Sequence, residues 1–398
     1  MKVKTVEDLP VEGRRVLVRV DYNVPLDDAG AIGDDTRIRA TVPTLRYLLS
    51  RRASLILVSH LGRPKGKVVE GLRLDPVARR LSQILERPVA KVNDCLGPDA
   101  EAAVRSLGPG DVLLLENVRF HPEEEANDPE FARDLAAWAE AYVNDAFSTA
   151  HRAHASTVGV AAYLPSAAGL LMVKELDALG RLLEGLERPF TAVLGGAKVA
   201  DKMGMIRNLP ADVVILGGGL ANTFLRAQGK DMGGSRVETD KLDQAREIMA
   251  HLRSRGVRLV LPVDAVAAPE IREKVSCRTV PVGRIPAGWQ ALDIGARTLE
   301  LIRPGILNAR TVFWNGPVGV YEVPAFACGS IMLARTIVED SGADGGRFTV
   351  IGGGDAMAVS VRAGIADQVS HLSTGGGASL EFLEGRTLPG VEALASEA

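Results

Sequence analysis

No apolar run in the 398 residues approaches the roughly 18 that a membrane-spanning helix needs, and the opening MKVKTVEDLP lacks the apolar stretch of a secretion signal. Both absences predict a cytoplasmic protein with no membrane partner. Cysteine is scarce: Cys95, Cys277 and Cys328 form an odd set without CxxC spacing, which excludes a disulfide framework and predicts free thiols. Neither charge sign is in excess, with 47 basic and 50 acidic residues, a formal charge of -3 and a pI near 6.1. No global field exists to attract nucleic acid or an anionic membrane, so any anion must be gripped locally. Strict GxGxxG is missing, as is GxxxxGK followed by Ser or Thr, and both standard nucleotide folds lose ground. HExxH and GxSxG are missing too, and His151 with His154 has no Cys or carboxylate at zinc-site spacing, which argues against hydrolases and metalloproteases. Fixed-period repeats and low-complexity tracts are also lacking.

What is present is an ordinary globular composition, 46% hydrophobic and 24% charged, long enough for two to three domains at about 150 residues each. Glycine is the outlier, 42 of 398 residues, against a usual level of about 7%. Short apolar runs alternate with stretches of helical period from end to end, the pattern of a parallel sheet with crossover helices. Strands are predicted at 16–20, 55–58, 112–115 and 141–143 in the first half, and at 191–194, 213–216, 259–261, 312–314 and 348–351 in the second. Asp128 and Pro129 supply an N-cap and a first-turn proline for a helix through Phe131, Leu135, Trp138 and Tyr142. Leu242, Ala245, Met249 and Leu252 mark another, closed at Gly256. Leu170, Leu176, Leu179, Leu183 and Leu186 mark a third that ends before Pro189, with strand series on both sides, and it is the predicted interdomain connector.

Open parallel sheets bind ligands beyond the carboxyl ends of their strands, and the two halves differ there. The first offers Asp21 and Asn23, then His60 and Arg63, Arg119, and Asp145 with Arg152. The second offers Gly195 and Gly196, the glycines at 217–219, Gly316 and Gly319, those at 352–354, and those at 375–377. Eight Lys or Arg and no acid lie between Arg37 and Lys67, a local positive field in an acidic chain. Arg46, Arg51 and Arg52 fall on a helix built around Val42, Leu45 and Leu49, and read as a solvated face. Arg37, Arg63, Arg119 and Arg152 sit instead near strand or helix ends, where planar forks suit a small, doubly anionic substrate. Five glycine loops, several leading into helical patterns, suggest exposed amides for phosphates, although glycine after a strand is often only a tight turn. Asp355, closing GGGD, stands where Mg²⁺ bridging nucleotide phosphates needs an oxygen, or caps a helix beginning near Met357. Lys198 and Lys202, four apart, are expected on one face of a first helical turn, where an anion would relieve their conflict with the macrodipole.

RVDYNVP at 19–25, DDTRI at 34–38, SHLGRPKG at 59–66, LENVRFHPEEE at 115–125, NDAFSTAHRAHAS at 144–156, LGGAKVADK at 194–202, WNGPVGVYE at 314–322, GGGDA at 352–356 and STGGGASLEFLEG at 373–385 resemble, in order, the signatures of the phosphoglycerate kinase family. The resemblance covers essentially the whole chain. It implies an α/β fold of two similar-sized doubly wound parallel-sheet, Rossmann-like domains. Residues 1–170 would bind phosphoglycerate, with a tail at about 386–398 packed back on them. Residues 171–187 would form a hinge helix, and 188–385 would bind MgADP or MgATP. By position, Asp21, Asn23, Arg37, His60, Arg63, Arg119 and Arg152 look like the ligands of 3-phosphoglycerate or 1,3-bisphosphoglycerate, with Tyr22, Leu61 and Gly62 among them. Lys198 and Lys202 resemble the phosphate-facing lysines, and Glu322 would take the ribose hydroxyls. Asp355 would take magnesium, and Gly352, Gly353 and Gly354 with the glycines from Gly375 the phosphate loops. Gly195, Gly217, Gly218, Gly295 and Asn315 complete the implied nucleotide site, and Arg37, Lys198, Gly352 and Gly375 the catalytic set. The family implies a monomer.

Three positions depart from the family pattern. Ala356 follows Asp355 where Ser or Thr is usual, Cys328 stands where Lys is common, and Ala296 follows DIG where Pro is common. None removes a charged group of the implied catalytic set, though nucleotide affinity is open to change. Two rival readings remain: a nucleotide-binding scaffold of this fold without turnover, and a small-molecule kinase for another carboxylate. Arg37, Lys198 and Asp355, all present, weigh against the first.

Overall fold

The structure, a computed structural model, describes residues 3–27, 29–339 and 346–395. The chain divides into two compact units, one made of the residues up to Asp177 together with those from Thr387 onward, the other running Ala178–Arg386. The last three residues of the expected tail, 396–398, lie outside the described residues.

In the first unit six strands form one sheet: β1 (Arg15–Arg19), β2 (Ser54–Val58), β3 (Ala90–Lys91), β4 (Val112–Leu114), β5 (Ala141–Asn144) and β6 (Ser166–Ala168), in the order β3-β4-β2-β1-β5-β6. Every pairing is parallel. A parallel sheet covered on both faces needs continuous apolar strands, and SLILV of β2 is buried at every position. Helices Thr36–Ser50 and Asp75–Leu85 send Ile38, Leu45, Val77 and Leu81 into the same core as Val16, Val18 and Leu55. Arg46, Arg51 and Arg52 are exposed, as the solvated reading requires. The first unit also takes in the chain's far end: Lys4 N–H donates to the Leu394 carbonyl at 3.4 Å and Gly390 N–H to the Ala150 carbonyl at 2.8 Å.

The second unit repeats the architecture with β7 (Phe190–Leu194), β8 (Val213–Leu216) and β9 (Arg258–Val260), followed after three further strands by β13 (Thr311–Asn315), β14 (Phe348–Gly352) and β15 (His371–Ser373). Their order is β15-β14-β13-β7-β8-β9, again all parallel. Each of the nine strands expected from sequence is present, with ends moved by no more than one residue. The parallel-only expectation is incomplete, because β10 (Asp264–Ala268), β11 (Arg278–Pro281) and β12 (Gln290–Ile294) form a separate antiparallel sheet in the order β11-β10-β12.

Two helices differ from expectation. Asp128 caps Pro129–Ala136 as read, accepting the N–H groups of Glu130 and Phe131, both at 2.9 Å. Trp138 and Tyr142 fall beyond it, because the chain turns and enters β5, where the Tyr142 hydroxyl donates to the Ser156 carbonyl at 2.8 Å. The middle helix spans Leu170–Gly180 and leaves Leu183 and Leu186 outside. Past Gly180, a poor helix residue, the bonds tighten to Leu183 N–H on the Gly180 carbonyl at 3.0 Å and the helix stops. Helix Leu242–Ser254 closes as read, at Gly256 with φ +73°.

Candidate active site

Beyond the carboxyl end of β1 the chain passes into Asp21, a carboxylate 7% exposed. Arg37, in the first turn of helix Thr36–Ser50, donates to it through Nη1, and the Ser148 hydroxyl donates to the same oxygen. Asn23 N–H donates to its other oxygen at 3.0 Å, and His60 Nδ1 from the loop after β2 lies 3.8 Å away. Burial works to raise the Asp21 pKa, but His60, Arg37, Ser148 and Asn23 together outweigh it and hold the carboxyl at about 2. Asp21 is therefore a permanent anion. Burial drives His60 well below its ordinary value; Asp21 opposes this, and the guanidiniums of Arg19, Arg119 and Arg37 reinforce it.

Asn23 Oδ1 accepts Gly62 N–H at 2.9 Å, and Arg119 Nη1 donates to the Gly62 carbonyl at 3.0 Å, so the loops after β1, β2 and β4 are tied at one glycine. Arg119 is 3% exposed, yet its Nε and Nη2 carry no hydrogen bond among the described residues. Glu125 Oε1 lies 3.3 Å from that Nε without hydrogen-bond alignment. Unmatched donors on a buried guanidinium are what an anion site requires. Burial, and after it the charge of Arg19, lower the Arg119 pKa from its ordinary value, Glu125 opposes them and Arg152 adds to the lowering; Arg63, next to Gly62, is exposed. The cluster thus brings Asp21, Asn23, Arg37, His60, Gly62 and Arg119 together, with Arg152 in electrostatic range. Tyr22 and Leu61 instead turn into the core, where the Tyr22 hydroxyl meets Thr41 Oγ1 at 3.0 Å.

Sequence reading missed the layer beneath. Arg19, fully buried in β1, donates from Nε to Ser156 Oγ at 2.7 Å and lies 3.3 Å from His60 Nδ1. Ser156 in turn donates from Oγ and N–H to the buried Glu124 carboxylate, at 2.7 and 2.9 Å. An arginine inside the apolar run VLVRV was the available signal, since a charge there needs built partners.

In the second unit the glycine loops follow β7, β8, β13, β14 and β15, but not all present free amides. Gly195 N–H donates to the Asn315 carbonyl at 2.9 Å, Gly196 N–H to Pro317 at 2.7 Å, Gly217 N–H to Leu194 at 2.8 Å and Gly218 N–H to Val318 at 3.2 Å. These loops knit one another together. Gly375 N–H likewise reaches Ser373 Oγ at 3.3 Å. At the end of β14 the arrangement differs, because Gly353 begins helix Gly354–Ala363, whose first-turn N–H groups have no partner inside the helix. Asn315 Nδ2 donates to the Gly352 carbonyl at 2.9 Å and fixes this corner to β13.

Gly353 holds the N-cap position and Asp355 lies inside the first turn, which removes the cap reading. It is exposed and accepts only the Tyr321 hydroxyl, at 3.3 Å, among the described residues. Burial, Asp355 and Glu322 together push that phenol up to about 12. A hard carboxylate with open oxygens, beside helix N–H groups that have no partner among the described residues, fits Mg²⁺ shared with phosphates. Glu322, next to Tyr321, is exposed.

Lys198 and Lys202 do not share a helix face. Lys198 is exposed in the loop after β7, whereas Lys202 closes a short 3₁₀ turn with its ammonium buried against the Gly195 and Asn315 carbonyls, the latter at 3.0 Å. The Gly195–Gly196 bend delays the helix to Met203–Asn208, and the carbonyls ending β7 and β13 draw the ammonium inward. Gly295 has a packing reason of its own: a Cβ there would meet Asp264 Oδ2 at 2.2 Å. Asp264 occupies that space to bond Thr298 N–H at 2.8 Å and Arg297 N–H at 3.1 Å at the head of helix Ala296–Leu307.

A family model described as Phosphoglycerate kinase matches residues 6–386. The chain belongs to that family. It is 57% identical over 396 residues to the phosphoglycerate kinase of Pelotomaculum thermopropionicum, covering 99% of each chain, and 56% identical over 392 residues to that of Moorella thermoacetica, covering 98% of each. The solved phosphoglycerate kinase of Coxiella burnetii superposes with a TM-score of 0.87 at 37% identity over 99% of both chains. That of Pyrococcus horikoshii OT3 does so at 0.85 and 34% over 98% of both. Both neighbours share the fold of two parallel-sheet units.

Proposed function

We propose that the chain is an ATP-dependent phosphotransferase that moves a phosphoryl group reversibly between 1,3-bisphosphoglycerate and MgADP, giving 3-phosphoglycerate and MgATP, as a glycolytic phosphoglycerate kinase does. The observation that carries the reading is Arg119, buried with two donors unmatched among the described residues, in a cluster that also contains His60 and the Asp21–Arg37 pair. In this reading Arg119, Arg63 and Arg152 hold the phosphate of phosphoglycerate, with Asn23 and His60 orienting its carboxylate end. Asp21 anchors Arg37 through one nitrogen and leaves its remaining donors for the phosphoryl group in transit. Lys198, Gly352 and Gly375 serve the same transfer from the nucleotide side. Lys202, Gly195, Gly217, Gly218, Gly295 and Asn315 build the frame of the nucleotide loops, and Glu322 takes the ribose.

The accepting carboxylate is ionised at neutral pH, with an ordinary pKa of about 4, so no general base is needed. What the residues supply is positioning and charge neutralisation at the transferring oxygens. When bound at Asp355, Mg²⁺ adds neutralisation of the nucleotide phosphates. Exclusion of water protects the acyl phosphate, and closure of the two units about the segment containing Leu170–Gly180 is the proposed means. We further assign the protein as a cytoplasmic monomer without a nucleic-acid partner. No described helix is long and apolar enough to cross a membrane.

A coupled assay of the full chain with 3-phosphoglycerate and MgATP tests the reading. Turnover with 3-phosphoglycerate and none with glycerate supports it. Nucleotide binding without turnover would replace it with the scaffold reading, and comparable turnover of an unphosphorylated carboxylate with the broader kinase.

A further inference from the structure

One group of metal-ligating side chains stands outside the site just described. Asp94 and Cys95 follow β3 and His121 follows the loop after β4, and because β3 and β4 pair in parallel their two exits lie side by side. The Cys95 thiol, an imidazole nitrogen of His121 and a carboxylate oxygen of Asp94 fall within 4.8 Å of one another. His121 Nε2 is 2.7 Å from Asp94 Oδ1, and its ring is flanked by Phe131 with centroids 5.1 Å apart. Cys95 is fully buried; its N–H donates to Asp94 Oδ1 at 2.7 Å and its carbonyl accepts Trp138 Nε1 at 3.1 Å, so its backbone is held on both sides. Asp94 and His121 are partly open to solvent.

We propose that Asp94, Cys95 and His121 form a binding site for a borderline-soft divalent cation of the Zn²⁺ type, held by one thiolate, one imidazole and one carboxylate, with water in the fourth position. One sulfur, one nitrogen and one oxygen donor is the mixed set that tetrahedral zinc accepts, whereas Mg²⁺ and Ca²⁺ reject thiolate. Without metal the thiol keeps its proton, which it donates to the Glu116 carbonyl at 3.0 Å. Burial raises the thiol well above its ordinary pKa, and the Asp94, Glu124 and Glu116 carboxylates add to the effect, opposed by Lys91. Those carboxylates also favour an incoming cation. Binding is the exchange of the thiol proton for the metal: the S–H bond breaks, the sulfur–metal bond forms, and the proton leaves to solvent. His121 binds as the neutral ring through Nε2, in place of its contact with Asp94. Affinity therefore rises with pH.

Cobalt(II) is the probe, titrated into the full-length protein after removal of adventitious metal by a chelator. The expected result is one equivalent bound in competition with Zn²⁺, with a thiolate-to-cobalt charge-transfer band and the visible absorption of a tetrahedral ion. Cys95→Ser should abolish the charge-transfer band. His121→Ala, at a partly exposed position, should weaken binding by at least the ~10-fold typical of losing an outer-shell partner. A protein with both exposed thiols removed, Cys277→Ser with Cys328→Ser, should keep the full spectrum. Absence of a thiolate band in the parent protein overturns the site. So does a band that His121→Ala leaves unchanged or that vanishes with Cys277 and Cys328. None of these readouts depends on phosphoryl transfer.

Discussion

Replacing Asp145 by Asn removes a titratable group from the head of helix Leu170–Gly180 with almost no change of shape. Asp145 is fully buried, and its Oδ1 accepts Leu171 N–H at 2.9 Å and Met172 N–H at 3.3 Å. Burial is the largest influence and lifts the carboxyl from 3.8 to about 7, with the Thr44 hydroxyl and the two helix N–H groups pulling the other way. In the unfolded chain the group titrates near its ordinary value of about 4. Between about pH 4 and about pH 7 the folded protein thus holds a proton that the unfolded chain has released, so stability falls as pH rises through that window. A shift of about three units at about 1.36 kcal/mol each amounts to about 4 kcal/mol, a large share of the roughly 5–15 kcal/mol that holds a domain together. Asparagine cannot titrate and keeps an oxygen for the same two donors. Urea unfolding of both proteins across pH reads the effect directly: the variant should gain on the parent by about 4 kcal/mol between about pH 4 and about pH 8. Asp293, raised to about 7 by burial against the Gly329 and Ile294 N–H groups, is common to both proteins and cancels in the difference. A gap that stays constant with pH would refute the reasoning.

Arg119→Ala should weaken 3-phosphoglycerate binding by roughly 1.5–3 kcal/mol in calorimetry and leave MgADP affinity unmoved; equal losses for both ligands would make Arg119 a structural tie. Arg37→Ala should lower kcat by about 10³ with KM nearly constant, and Arg37→Lys should recover only part, since the charge returns without the fork. A raised KM with normal kcat would make Arg37 an ordinary binding residue. Asp355→Ala should cripple turnover with metal nucleotide while 3-phosphoglycerate binding survives, and collapse of both would point to damage of the Gly353 corner.

The parallel strands were legible because a sheet covered on both faces leaves no alternation to misread: FTAVL of β7 and the TVFWN of β13 are buried throughout. The antiparallel sheet was not, because RTVP of β11 is mostly exposed and carries no apolar run. In the first unit's cluster the charged partners were readable from loop position, whereas Glu124 and Ser156 were not, since their part is to support Arg19 from below and an EEE run reads as surface. The glycine loops were found but their use was not. Sequence shows that a loop lacks side chains; it does not show that Gly195 and Gly217 spend their amides on neighbouring carbonyls while helix Gly354–Ala363 keeps its first turn open. Lys202 was misplaced for a related reason, as four-residue spacing puts two side chains on one face only where the helix has already begun.

The first unit is built from both ends of the described chain, and this gives it an order of assembly opposite to its order of synthesis. Its strands β1 to β6 are made first, but the bonds from Lys4 to Leu394 and from Gly390 to Ala150 must wait until the whole second unit has been translated. The half that is begun first is finished last. During that interval the turn at Ala150, two residues from Arg152, lacks its partner strand of chain, so the arginine cluster acquires its final support only when the polypeptide is nearly complete. If the roles proposed for the two units hold, phosphoglycerate binding by a nascent chain would lag behind nucleotide binding, even though the residues proposed to perform it leave the ribosome earlier.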